Sequence, residues 1–111
     1  MTALNQNEID ITNGINDYMD RLRDMINDHY RQSYSSLTPP TVSFMRGKRY
    51  CRIVLSTEPR HDDRKVHSFV DMTNGNILKA NGWKSPHPTP RGNVLDLDNS
   101  NFTVYGASYL K

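Results

Sequence analysis

The chain has one cysteine, no long apolar run, and few hydrophobic residues for its 111 positions. A single cysteine, Cys51, excludes an internal disulfide and with it a disulfide-stapled secreted domain. No apolar stretch approaches the ~18 residues of a membrane span, so no membrane association is expected. The opening Met1-Thr2-Ala3-Leu4 has neither the basic region nor the apolar core of an export signal, so the expected compartment is the cytoplasm. Only 35% of residues are hydrophobic, and the mean hydropathy is −0.77. That is lean for a monomer and leads to an expectation of a homo-oligomer or partner. The chain also lacks a P-loop, a G-x-G-x-x-G, an H-E-x-x-H and a strand-turn-helix nucleophile elbow. No enzyme, cofactor or metal is therefore expected. His61-Asp62-Asp63 superficially resembles a metal cluster, but consecutive residues do not easily converge on one ion.

Charge is uneven. Residues 1–35 hold three Arg against six Asp/Glu, and residues 36–111 hold eleven Lys/Arg against six. The basic part permits an anionic ligand, although its density falls short of a dedicated duplex-DNA binder.

One domain is expected over 1–111, of α+β class. A long N-terminal helix (1–36) would pack on an antiparallel sheet of four to five strands (41–111) that carries a loop at 81–98. Asn5 and Glu8 form a capping box. Ile11, Ile15, Tyr18, Leu22, Met25 and His29 then recur at alternating spacings of four and three, with Met19 and Ile26 beside them. This stripe suits a sheet, and it also suits a second subunit, with Ile11, Ile15, Tyr18, Leu22 and Met25 as the interface. Gly14 interrupts the helix, either at a cost of about 1 kcal/mol or as the mark of a close crossing. Asp17, Asp20, Asp24 and Asp28 make the solvated face.

Pro39-Pro40 ends the helical region. Strands follow at 41–45, 50–56, 66–71 and 77–80, with turns at Arg46-Gly47-Lys48 and Asn74-Gly75. In the second strand, Cys51, Ile53 and Leu55 share one face, and Tyr50, Arg52 and Val54 share the other. A fifth strand is expected at 102–109, at an edge.

The loop at 81–98 holds the only Trp and three prolines, Pro86, Pro88 and Pro90. A loop of this length usually has a function. Lys84, Ser85, Arg91 and the backbone near Gly92-Asn93 are phosphate-binding types, and Trp83 is a flat face for a base or a plug for the sheet. Simple closure of the Asn74-Gly75 hairpin would bring His67 and Lys79 to the same end of the sheet. The expected ligand-binding set is therefore His67, Lys79, Trp83, Lys84, Ser85, Arg91 and Asn93.

Val66-His67-Ser68-Phe69-Val70-Asp71, Gly75-Asn76-Ile77-Leu78-Lys79-Ala80, Trp83-Lys84-Ser85-Pro86 and Arg91-Gly92-Asn93 occur in that order. Together with Tyr50 to Val54, they resemble a group of small, mostly uncharacterised proteins of tailed phages and other large DNA viruses. That group shares an F-V-D, G-x-I-x-K-A, W-K-x-P, R-G-N pattern, and the resemblance covers about residues 50–95. The chain departs from it at Asn81-Gly82 and at His87-Pro88-Thr89-Pro90. The resemblance implies a viral origin and a place in the host cytoplasm, and it brings no activity with it. Three readings stay open. The first is a non-catalytic binder of an anionic nucleotide-like ligand that sequesters a host defence signal. The second is a single-stranded nucleic-acid binder that stacks bases on Trp83 and Tyr50. The third is a protein–protein inhibitor of a host factor or a virion component.

Overall fold

The computed structural model describes residues 5–33, 36–56, 64–103 and 106–107. Helix α1 (Gln6–Ser33) opens at the expected box: the Glu8 N–H donates to Asn5 Oδ1 at 2.8 Å. Its 28 residues run roughly 42 Å at ~1.5 Å each, close to the 45 Å longest dimension of the molecule. Strands β1 (Thr41–Arg46), β2 (Tyr50–Ser56), β3 (Arg64–Asp71), β4 (Asn76–Ala80) and β5 (Pro86–Asn93) follow. They form one antiparallel sheet in sequence order. A 3-10 turn (Leu97–Asn99) leads to β6 (Phe102–Thr103) and β7 (Gly106–Ala107), a separate two-stranded pair.

The helix stripe packs on one face of the sheet, the inner face. Ile11, Ile15, Tyr18, Met19, Leu22 and Ile26 join Val42, Cys51, Ile53, Val70, Met72, Ile77, Val94 and Leu97 in one core. Burying each large aliphatic contributes roughly 1.5–3 kcal/mol. Ile11, Ile15, Tyr18 and Leu22 are at most 4% exposed within the single chain. This corrects the subunit-interface reading, because side chains already enclosed by their own sheet have no surface left for a partner. Only Met25 of that set is half-buried. Gly14 marks a close crossing, since a Cβ there would lie 2.7 Å from the Val94 carbonyl oxygen.

Three further expectations change. The fifth strand of the sheet is β5, inside the stretch expected to be a loop, and Phe102–Thr103 belongs to the small pair. Proline-rich β5 is tolerated because no further strand of the sheet pairs with its outer side, so its prolines break no ladder there. That side instead meets the 100–101 segment, whose Asn101 N–H donates to the Arg91 carbonyl at 2.9 Å. Slips in register at Ile77/Leu78 and Leu78/Ala80 take up its irregularity. The Asn74-Gly75 turn is also not the two-residue type, because no described non-Gly residue has positive φ. β3 and β4 are instead joined by a longer turn in which the Gly75 N–H donates to the Asp71 carbonyl at 2.7 Å. Gly75 takes φ 83°, and the Asp71 carboxylate accepts from the Thr73 N–H and hydroxyl.

Replacing Gly14 by Ala tests the crossing. Helix propensity alone would stabilise the protein by up to about 1 kcal/mol. The contact with Val94 should reverse that sign and cost about 1–3 kcal/mol, read as a lower urea midpoint. An unchanged or raised midpoint would show that the crossing relaxes freely.

Candidate site on the outer sheet face

The sheet has a second face, away from α1, where Val54, Phe69 and Leu78 are also buried. Register puts Arg52 opposite Phe69, and direct cross-strand partners share a face. The turn at 81–85 folds back over them. It is closed by the Asn81 N–H donating to the Ser85 carbonyl at 2.9 Å and by the Ser85 hydroxyl donating to the Asn81 carbonyl at 3.3 Å. Arg52 Nε donates to the Trp83 carbonyl at 2.8 Å and anchors the turn.

Rings and guanidiniums alternate here. The Arg52 guanidinium carbon lies 5.7 Å from the Phe69 ring centroid and 5.5 Å from that of Trp83. The Arg64 guanidinium carbon lies 5.3 Å from Trp83. A second pair extends the row: Arg49 is 5.1 Å from the Tyr50 ring, and Tyr50 meets Phe69 edge-on at 6.3 Å. Each cation–π contact is worth about 0.5–2 kcal/mol, depending on its desolvation. Arg49 also pairs with Asp71 at 3.4 Å. Among the described residues, no carboxylate forms an ion pair with Arg52 or Arg64. Burial alone would raise the Asp71 carboxyl, but the Thr73 hydrogen bonds and the Arg49 charge together hold it below the usual range.

Of the expected ligand residues, Trp83, Lys84 and Ser85 share this turn, with Trp83 half-buried and Lys84 and Ser85 exposed. The others lie elsewhere. Arg91 is only 2% exposed, so it presents no phosphate fork to solvent. Asn93 is occupied in the hairpin: its Nδ2 donates to the Asn74 carbonyl and Asn76 Oδ1, and its Oδ1 accepts the Leu95 N–H. The Asn93 N–H donates to the Ser100 hydroxyl, and Ser100 packs on Gly92. Lys79 is exposed and opposite Ser68, which places it on the inner side.

His67 departs from simple alternation. β2 pairs Ile53 with Ser68 and then Val54 with Val66, so His67 is the extra residue of a bulge. The bulge turns His67 and Ser68 to the same, inner side, away from Trp83. His67 is 3% exposed, and its Nε2–H donates to the Thr103 carbonyl at 2.6 Å. Its Nδ1 must then accept, here from the Ser68 hydroxyl at 2.9 Å, while the Tyr18 hydroxyl donates to Ser68 Oγ at 2.7 Å. Burial pushes the imidazole below its usual 6.5, partly offset by the Thr103 bond. Burial likewise pushes the Tyr18 phenol up, and the bond to Ser68 offsets this in part. Ser68 is fully buried, so no substrate reaches this trio. Cys51 is buried too: desolvation pushes its thiol up to about 11 against the opposing charge of Arg46, which makes it unreactive.

Sequence reasoning missed Arg49, Arg52 and Arg64 as site residues. The alternation of β2 already put Tyr50 and Arg52 on one face. The Phe69 register and the folded-back turn had no sequence signal. His61-Asp62-Asp63 lies outside the described residues. Among the described residues, no three His, Cys, Asp or Glu side chains gather as a metal site.

No curated protein and no solved structure matches the chain. Residues 1–109 match a family of unknown function (DUF7717), and the chain belongs to that family.

The His67 network makes stability depend on pH. A histidine whose folded pKa is depressed binds fewer protons folded than unfolded, so its contribution is present above about pH 6.5 and is lost as pH falls below it. The urea midpoint should fall between pH 7.5 and about 5.5, and His67→Gln should flatten that part of the profile. An equal slope in both proteins would remove His67 as the cause.

Proposed function

We propose that this member of a family of unknown function binds single-stranded nucleic acid on the outer sheet face, without catalysis. The observation that carries the reading is the row Arg52–Trp83–Arg64, seated on the buried Phe69 ring and continued by Tyr50 and Arg49, in which Trp83 and Tyr50 are the partly exposed rings. Flat rings stack unpaired bases whatever their identity, and guanidiniums between them meet phosphates or extend the stack. Unpaired bases suit this face, because a ring can stack only on a base whose flat face is not already covered by its neighbours in a duplex. Lys84, exposed beside Trp83, adds a further cation.

A second reading is a single nucleotide-like ligand, such as a sequestered host defence signal. It is favoured by the grouping of Trp83, Lys84 and the Ser85 hydroxyl in one turn beside Arg52 and Arg64. On either reading the ligand would be one met in the cytoplasm of an infected host cell, an expectation that rests on the viral resemblance of the sequence alone.

Trp83 is the only tryptophan, so its fluorescence reports on this face alone. Titration with an oligothymidylate of about ten nucleotides should quench it, with affinity falling linearly in log salt. Arg64→Ala should weaken binding and lower that slope by about 0.7. Quenching by mononucleotides that does not strengthen with chain length would favour the single-nucleotide reading. If neither probe changes the fluorescence, both readings fail.

A further inference from the structure

We propose that β1 pairs antiparallel with β1 of a second copy, joining two five-stranded sheets into one continuous sheet. The two edges of the sheet differ in kind. β5 carries Pro86, Pro88 and Pro90, and its register slips twice against β4. Prolines and bulges are the usual means of blocking a further strand. β1 has no such protection. Its six residues hold no proline and no lysine, and they pair with β2 in unbroken register from Thr41↔Ser56 to Arg46↔Cys51. Among the described residues no strand pairs with its other side, where the Val42 carbonyl accepts from Arg23 and where Phe44 is 50% exposed and Met45 38%.

This asymmetry selects the occupant. With β5 blocked, two copies cannot stack edge to edge into a filament. Between the two edges of this five-stranded sheet, the self-pairing left is β1 with β1, which is isologous and closes at two subunits. Direct partners in a sheet must share a face, so the two-fold axis passes through a residue of the strand, not between two. Centring it on Phe44 sets the two half-exposed rings opposite each other and leaves the ends to ion pairs already formed. Arg46 lies against Glu8 at 3.4 Å at one end, and Arg23 lies against Asp20 at 2.9 Å at the other. Each end is thus close to neutral, and antiparallel approach sets neutral against neutral. Arg23 also donates to the Val42 carbonyl at 3.1 Å, away from the central residue.

The contact also accounts for the lean composition in a way the helix stripe does not, because that stripe is enclosed in the core of its own chain. The axis stands perpendicular to the sheet, so both outer faces lie on the same side of the dimer. This last consequence rests on the nucleic-acid reading: the stacking surface would be doubled. The pairing itself does not depend on it.

Light scattering or native mass spectrometry of the full chain should give about twice the 12.8 kDa chain mass. Phe44→Lys opposes two like charges on the axis and should return the mass to that of one chain, with helical circular dichroism and Trp83 fluorescence unchanged. Phe44→Tyr should keep the dimer. A single-chain mass for the parent protein at every concentration would overturn the proposal. So would a dimer that survives Phe44→Lys, since its contact would then lie elsewhere. These outcomes are independent of whether an oligonucleotide binds.

Discussion

The packing of α1 along the inner face of the sheet is the constraint that everything else follows. The helix is nearly as long as the molecule and covers that face with one apolar stripe from Ile11 to Ile26. It comes close enough at Gly14 for backbone to meet Val94. This element and the β6–β7 pair occupy the inner side, and among the described residues the 81–85 turn is the segment that folds over the outer side. The two faces therefore do different work. One excludes water with aliphatic side chains, and the other holds its aromatic rings against guanidiniums that remain hydrated.

The bulge at His67 makes the sidedness sharper. In regular alternation His67 would share a face with Phe69 and reach toward Trp83. The extra residue instead turns it inward, where Tyr18, Ser68 and Thr103 satisfy every polar atom of a neutral imidazole. A buried histidine without these bonds would be costly. With them, it ties α1, β3 and β6 together by one directional chain of donors. Phe102 packs edge-on to Tyr18 at 4.8 Å and closes the same corner.

On the outer face, the arginines take the place that aliphatics hold inside. Arg52 reaches both Phe69 and Trp83 and also bonds the Trp83 backbone, so one side chain fixes the turn and spaces the rings. A planar cation suits this position because it stacks and donates in its plane at once. Trp83 thus lies between the Arg52 and Arg64 guanidiniums, in a turn that Arg52 holds to the sheet through the Trp83 carbonyl.

Local patterns in the sequence were enough to determine the α+β class, the capped helix, the buried stripe and the first four strands. Each rests on spacing between near neighbours: three and four for α1, two for β2, and a cap at Asn5 three residues before Glu8. What the tertiary structure alone decided depends on contacts between distant residues. Pro86–Asn93 is a strand because it lies at an edge where missing N–H groups cost nothing, although proline locally argues against a strand. His67 faces inward because β2 and β3 slip by one residue. Arg91 and Asn93 are enclosed because the chain after them folds back over Gly92. Arg52 and Arg64 meet Trp83 because register brings three separate segments to one face, and register is a relation between strands that no single strand encodes.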